Sequence, residues 1–226
     1  MNLYENRRHD HFVKKMQLNI DLIFLYRVFA TCTLVWQACK SVQFQPTKFH
    51  HMYTNWTLFL TTIFYAMVLF DDIYDVQNKL YHFFLYAFNV TLLTATVVVV
   101  VFYWLSGAND FDKAPVLMFA NHSWTFIGVC FEMLLSNNFE YVTRLDFFKY
   151  FLPYHYAWCF GLLPILQFRN ADPYKLPFSF ARDPGIAALL VIVTSIALSL
   201  VHFSYLRLFA KVQKYFRKKF ELKKNQ

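Results

Sequence analysis

Six apolar runs, each long enough to cross a bilayer as a helix, recur along this chain with breakers between them. A hydrocarbon core about 30 Å thick takes roughly 20 helical residues. The runs are Leu18–Cys39, Met52–Phe70, Tyr81–Leu105, Pro115–Ser136, Phe147–Phe168 and Gly185–Phe209. Gln45-Pro46, Asp71-Asp72, Gly107-Ala108-Asn109-Asp110, Asn137-Asn138 and a loop holding Pro173, Pro177 and Pro184 separate them. Val97–Val101 would suggest a strand in water. In lipid a helix satisfies its own backbone, so the same stretch reads as helix. Composition agrees, since only 16% of residues are charged and Gly occurs four times, whereas soluble domains carry about 25% charge. The expected fold is an all-α integral membrane protein, a bundle of six transmembrane helices forming one domain over residues 18–209. A polar basic tail, residues 1–17, precedes it. A basic amphipathic tail, residues 210–226, follows it.

The two tails and the second and fourth loops together carry 15 Lys and Arg, counting Lys149 and Arg207 at helix ends, against six in the first, third and fifth loops. The positive-inside rule then puts both termini in the cytoplasm, or on the matrix or stromal side in an organelle. The run Leu18–Cys39 is longer than a signal-peptide core and no small-x-small cleavage site follows it, so it reads as a retained first helix. After the last run, Leu208, Val212, Tyr215, Phe216 and Phe220 recur at helical spacing, while Lys211, Lys214, Arg217, Lys218 and Lys219 fill the other face. Such a helix is expected to contact anionic lipid headgroups; docking to an acidic partner is the alternative. The net charge of +8 is thus a topology and anchoring signal. No nucleic-acid recognition module accompanies it, and no nucleic-acid partner is expected. Membrane lipids and other membrane proteins are the expected partners. The compartment is expected to be the endoplasmic reticulum, the plasma membrane or another endomembrane, or the mitochondrial inner membrane for a complex subunit.

Ionisable residues at membrane depth are costly and point to function. His122 lies in the fourth run with Glu132 ten residues on. Arg27 sits mid-span in the first run, six residues after Asp21, and Glu132 is a candidate interhelical partner for it. The second run opens Tyr53-Thr54-Asn55-Trp56. Runs two and four enter from the same side, so Thr54 and His122 fall at similar depth. An imidazole is the base a threonine hydroxyl needs to become a nucleophile. Asn55 and Asn121 are candidate oxyanion donors, and Arg27 and Glu132 candidate substrate-binding groups. His155 and His202 are further intramembrane histidines; a site of His122, His155 and Glu132 has no metal-binding spacing, and no metal or cofactor is expected. Cys32, Cys39, Cys130 and Cys159 read as packed thiols without a CxxC pattern. The sequons at Asn55, Asn89 and Asn121 lie in the spans and are discounted.

Two of these stretches carry a family resemblance. Thr54 with Asp72 at the far end of the same run, and His122 followed by Glu132-Met133, resemble the androgen-induced and androgen-dependent TFPI-regulating proteins, with rolling stone proteins as more distant relatives. Tyr53-Thr54-Asn55-Trp56 is closer in wording to the rolling stone proteins, and Lys175-Leu176-Pro177-Phe178 echoes a Tyr-Pro loop of the family. The resemblance implies six helices with cytoplasmic termini. It also implies hydrolysis of fatty acid esters of hydroxy fatty acids, with Thr54 at the nucleophile position and His122 at the catalytic histidine. The family's fourth helix carries a His-x-x-His pattern, and Thr125 stands at the second position here.

Three functions compete. The first is a lipid ester hydrolase with a Thr nucleophile. The second is a non-catalytic structural or lipid-binding subunit of a larger membrane complex. The third is a channel or transporter; scarce Gly and the lack of a charge ladder weigh against it.

Overall fold

A computed structural model describes residues 20–44, 46, 52–105, 115–136, 143–169 and 179–224, and these contain no strand. They form six helical rods. α1 is Ile20–Phe44, α2 Tyr53–Tyr74, α3 Lys79–Leu105 and α6 Pro184–Lys224. α4, residues 115–136, runs from Pro115–Phe119 through a π-helical turn, Ala120–Trp124, into Thr125–Ser136. α5, residues 144–168, contains two π-helical segments, Phe147–Phe151 and Ala157–Leu162. Within α1, α2, α3 and α6, four stretches are long and apolar enough to cross a membrane. α4 and α5 are not unbroken α-helices of that length, because the π segments divide them.

Each π segment of α5 has a proline two residues past its end, Pro153 and Pro164. A proline ring clashes with the carbonyl four residues back and removes one ladder bond, so the helix widens there instead of breaking. α5 starts with a capping box. The backbone N–H and the hydroxyl of Thr143 both donate to Asp146 Oδ2 at 2.7 Å, and Tyr86 on α3 donates a third bond to the same oxygen at 2.7 Å. Burial alone would raise the Asp146 pKa, but these donors and nearby Lys149 outweigh it and hold the carboxyl below its ordinary value.

α3 is the hub. It packs against α2, α4, α5 and α6, and Val90, Leu92, Leu93, Ala95 and Val97–Val99 are all buried. The first three valines of the run are therefore core, whereas Val101 at its end is exposed. One face of α3 closes a cluster with Ala30, Leu34, Leu58, Phe64, Val129 and Met133 from α1, α2 and α4. The other closes a cluster with Phe147, Phe151, Trp158, Ala187 and Val191 from α5 and α6. The outer faces are apolar: Leu22, Leu25, Phe29 and Val35 on α1, and Ile186, Leu189, Val193, Ile196 and Leu200 on α6, are exposed. Exposed apolar area on that scale suits a lipid surround rather than water. Lipid supplies no hydrophobic drive between helices, so close packing and interhelical polar bonds hold the rods together.

Several ends differ from the sequence reading. α1 continues past Cys39 to Phe44, stopping at the Gln45-Pro46 breaker. α2 carries Asp71 and Asp72 inside its last turn and ends at Asp75, which adopts the left-handed conformation at φ 46. The Val76 N–H bonds Asp71 Oδ1, and Asn78 caps α3 by accepting the N–H groups of Leu80 and Tyr81. Cys32 and Cys39 are exposed on α1 rather than packed, because they lie on its outward face; all four cysteines are free. Residues 1–17 lie outside the described part.

Candidate functional site

The π turn of α4 gathers the polar residues of that helix. His122 Nδ1 lies 2.7 Å from the Met118 carbonyl oxygen. A carbonyl only accepts, so Nδ1 carries the proton and Nε2 of the neutral ring is the unprotonated nitrogen. A side chain on that carbonyl intrudes into the backbone ladder, which accounts for the widened turn. The imidazole stacks on Tyr103 of α3, with centroids 3.6 Å apart and planes 12° from parallel. His122 is therefore buried and held on two sides, by a carbonyl at Nδ1 and an aromatic face. Among the described residues Nε2 makes no hydrogen bond.

Around it lies a buried polar layer. Asn121 Nδ2 donates to Ser41 Oγ of α1 at 2.6 Å, while Asn121 Oδ1 is buried with no hydrogen-bond partner among the described residues. Thr125 shares its hydroxyl among Gln37 Oε1, the Ala120 carbonyl and the Asn121 carbonyl at 3.3–3.4 Å. Gln37, Ser41, Asn121 and Thr125 are each at most 5% exposed.

Two bonds fix the register of α1 against α4. Asn121 meets Ser41, and Thr125, four residues on, meets Gln37, four residues back. The helices run antiparallel, and His122 is level with Lys40. Tyr26–Tyr65 and Arg27–Asp72 join α1 to α2 more loosely, through long side chains whose pairs imply registers eight residues apart. Continued along α1, those two pairs put Lys40 level with the first two turns of α2, which hold Thr54 and Asn55. Both are buried, at 7% and 5% exposure, and α2 packs against the π turn. Thr54 and His122 thus lie on touching helices, within about two turns of one another in depth. No hydrogen bond joins them: the one that His122 makes goes to Met118. Thr57 and Thr61 donate to carbonyls four residues back, the usual arrangement in membrane helices.

Arg27 and Glu132 form a second site toward the opposite end. Arg27 Nη2 and Nε donate to the two Glu132 oxygens at 2.6 and 3.1 Å. Nη1 donates to both oxygens of Asp72 at 2.7 Å. Arg27 lies in the second turn of α1, nearer its end than the mid-span position read from sequence. One guanidinium thereby ties α1, α2 and α4 together, and it stands well away from His122. Beside it the Tyr26 and Tyr65 hydroxyls lie 2.8 Å apart, and both donate to the Gly128 carbonyl. Asp72 as a third member, and the two tyrosines, escaped the sequence reading. The signal for Asp72 was its place one helix-length after Thr54, where it read as a breaker.

The remaining histidines are packed apart from His122. His155 stacks on Phe151, with Cys159 Sγ 3.5 Å from its Nε2. His202 Nδ1 bonds Thr94 Oγ1 at 2.7 Å. Among the described residues no three His, Cys, Asp or Glu side chains group as a metal site. Asn55 and Asn89, like Asn121, are buried. Lys211 and Lys214 are exposed on α6; the side chains of Arg217, Lys218 and Lys219 lie outside the described part, although α6 carries their backbone. No family model, no curated protein and no solved structure matches this chain.

Proposed function

We propose that this protein is a membrane-embedded lipid ester hydrolase with Thr54 as nucleophile and His122 as base. Its six rods all span the bilayer, with both termini in the cytoplasm. The observation that supports the reading is the state of His122: buried, oriented through Nδ1 by the Met118 carbonyl, with Nε2 in no hydrogen bond among the described residues, on a turn that α2, the helix bearing Thr54, packs against. The carbonyl does for the imidazole what a carboxylate does in a Ser-His-Asp triad, fixing the tautomer. Thr54 Oγ1 attacks the ester carbonyl as Nε2 takes its proton. The bond to the leaving alkoxide breaks, and the imidazolium returns the proton to it. Water then attacks the acyl-threonine, with Nε2 again the base, and the acid leaves. The second N–H of the Asn121 amide, or Asn55, donates to the developing oxyanion. Fatty acid esters of hydroxy fatty acids, the class implied by the resemblance to the androgen-induced proteins, are the substrates we expect.

The alternative is a non-catalytic subunit of a membrane complex, and the absence of a Thr54–His122 hydrogen bond favours it. Hydrolysis of a medium-chain p-nitrophenyl ester by the protein in micelles separates the two. Under the hydrolase reading, His122→Ala slows hydrolysis about 10²–10⁴-fold, Thr54→Ala reduces it to the micelle background, and Thr54→Ser retains it. Wild-type hydrolysis no faster than that background rejects the hydrolase.

A further inference from the structure

The groove between the C-terminal half of α1 and the start of α4 is lined by apolar side chains except at its mouth. It has a volume of about 430 Å³, and Trp36, Phe44, Pro115, Val116 and Leu117 form its walls. Lys40 and Gln43 of α1 complete it. Lys40 Nζ donates to Gln43 Oε1 at 3.1 Å, which uses the one side-chain acceptor present. The side-chain groups left at the mouth are donors, two N–H groups of the ammonium and the Gln43 amide N–H₂, while the acceptors there are the last backbone carbonyls of α1. Among the described residues no carboxylate lines the groove. A mouth carrying one ammonium over an apolar wall complements a singly negative head on a hydrocarbon tail. Lys40 is four residues from the end of α1, and Pro115 begins α4. The mouth therefore lies at headgroup level and the walls reach into the acyl region.

We infer that this groove seats the phosphodiester headgroup of an anionic membrane phospholipid, with Lys40 and Gln43 on the phosphate oxygens. An ammonium pairs with a phosphate as a point charge and needs no fork geometry. A zwitterionic choline lipid brings a cation for which the described lining residues offer no acid. The volume suits a headgroup and the first part of its chains rather than a whole lipid, so the lipid enters sideways between α1 and α4. Behind the wall, the unpartnered Asn121 Oδ1 lies one turn beyond Leu117 on the same face of α4. A helical side chain covers the turn N-terminal to its own Cα, so Asn121 backs the groove floor. The site does not depend on Thr54 or His122 having any chemical role.

Native mass spectrometry of the full chain in neutral detergent, titrated with phosphatidylglycerol, with phosphatidylcholine and with inorganic phosphate, tests it. Wild type is expected to retain one phosphatidylglycerol about tenfold more tightly than phosphatidylcholine, about 1.4 kcal/mol. Lys40→Ala loses that preference, Lys40→Arg keeps it, and Val116→Trp, which fills the groove, abolishes retention of both lipids. Unchanged retention in folded Lys40→Ala overturns the assignment, as does equal binding of the two lipids. Displacement of the lipid by inorganic phosphate would make the ligand a free anion and overturn it too.

Discussion

Arg27 meets two carboxylates, Asp72 on α2 and Glu132 on α4, and its guanidinium fork matches both at once. Removing the cation leaves Glu132, 1% exposed, with its charge unpaired. We expect Arg27→Met to destabilise the detergent-solubilised protein by about 3 kcal/mol or more. Arg27→Met with Glu132→Gln should cost clearly less than the two single effects added, a coupling that thermal unfolding of all four proteins reads directly. Additive losses would show that the two residues act independently. Asp146 supplies a pH-dependent counterpart. Its folded pKa lies below the unfolded one, so its stabilisation is complete above the unfolded value of about 3.9 and fades as pH falls through the folded value. Asp146→Asn should lower the unfolding temperature at neutral pH, and the gap to wild type should narrow as pH drops below about 4. A gap independent of pH would contradict the bond set at Asp146. At this scale the sequence made Arg27, Glu132 and His122 legible as residues needing partners. It could not show which oxygen or carbonyl each would find, because a long Tyr or Arg side chain reaches across a full turn. Thus Tyr26 and Tyr65 converge on the Gly128 carbonyl from different helices without any spacing signal.

Among the elements, the apolar runs were readable and their ends were not. Hydropathy falls off where polar residues begin, whereas a helix stops where its backbone does. α2 therefore takes in Asp72, already paired with Arg27, and continues to the left-handed Asp75. The π turns were equally hidden, since widening one turn barely changes an apolar periodicity. Pro153 and Pro164 were the visible trace in α5, and in α4 the trace was the polar set Asn121-His122-Ser123. α6 is one helix of 41 residues, Pro184–Lys224, about 60 Å long, and the basic stretch read as a helical extension of the last run continues it. Spin labels placed singly along residues 205–216 should show accessibility rising and falling with a period near 3.6 residues, without a phase break. A break near residue 210 would show that the basic stretch turns away from α6.

For the whole molecule, helical class and membrane character followed from length and composition, and four helices long and apolar enough to span bear them out. The central place of α3 did not follow, because in lipid a buried face and a lipid-facing one are equally apolar. The reading of six spans with cytoplasmic termini makes its own demand. An impermeant maleimide added to sealed cells should leave a cysteine placed at Val76 unlabelled and label one placed at Pro46; the reverse pattern would invert the topology. The central claim is that buried Thr54 is activated by His122, and a fluorophosphonate probe on the solubilised protein tests it most directly, with mass spectrometry to locate the adduct. We predict an adduct on Thr54 in wild type, lost in both Thr54→Ala and folded His122→Ala. A well-folded wild type that takes no adduct, or one whose adduct persists in His122→Ala, would contradict the account.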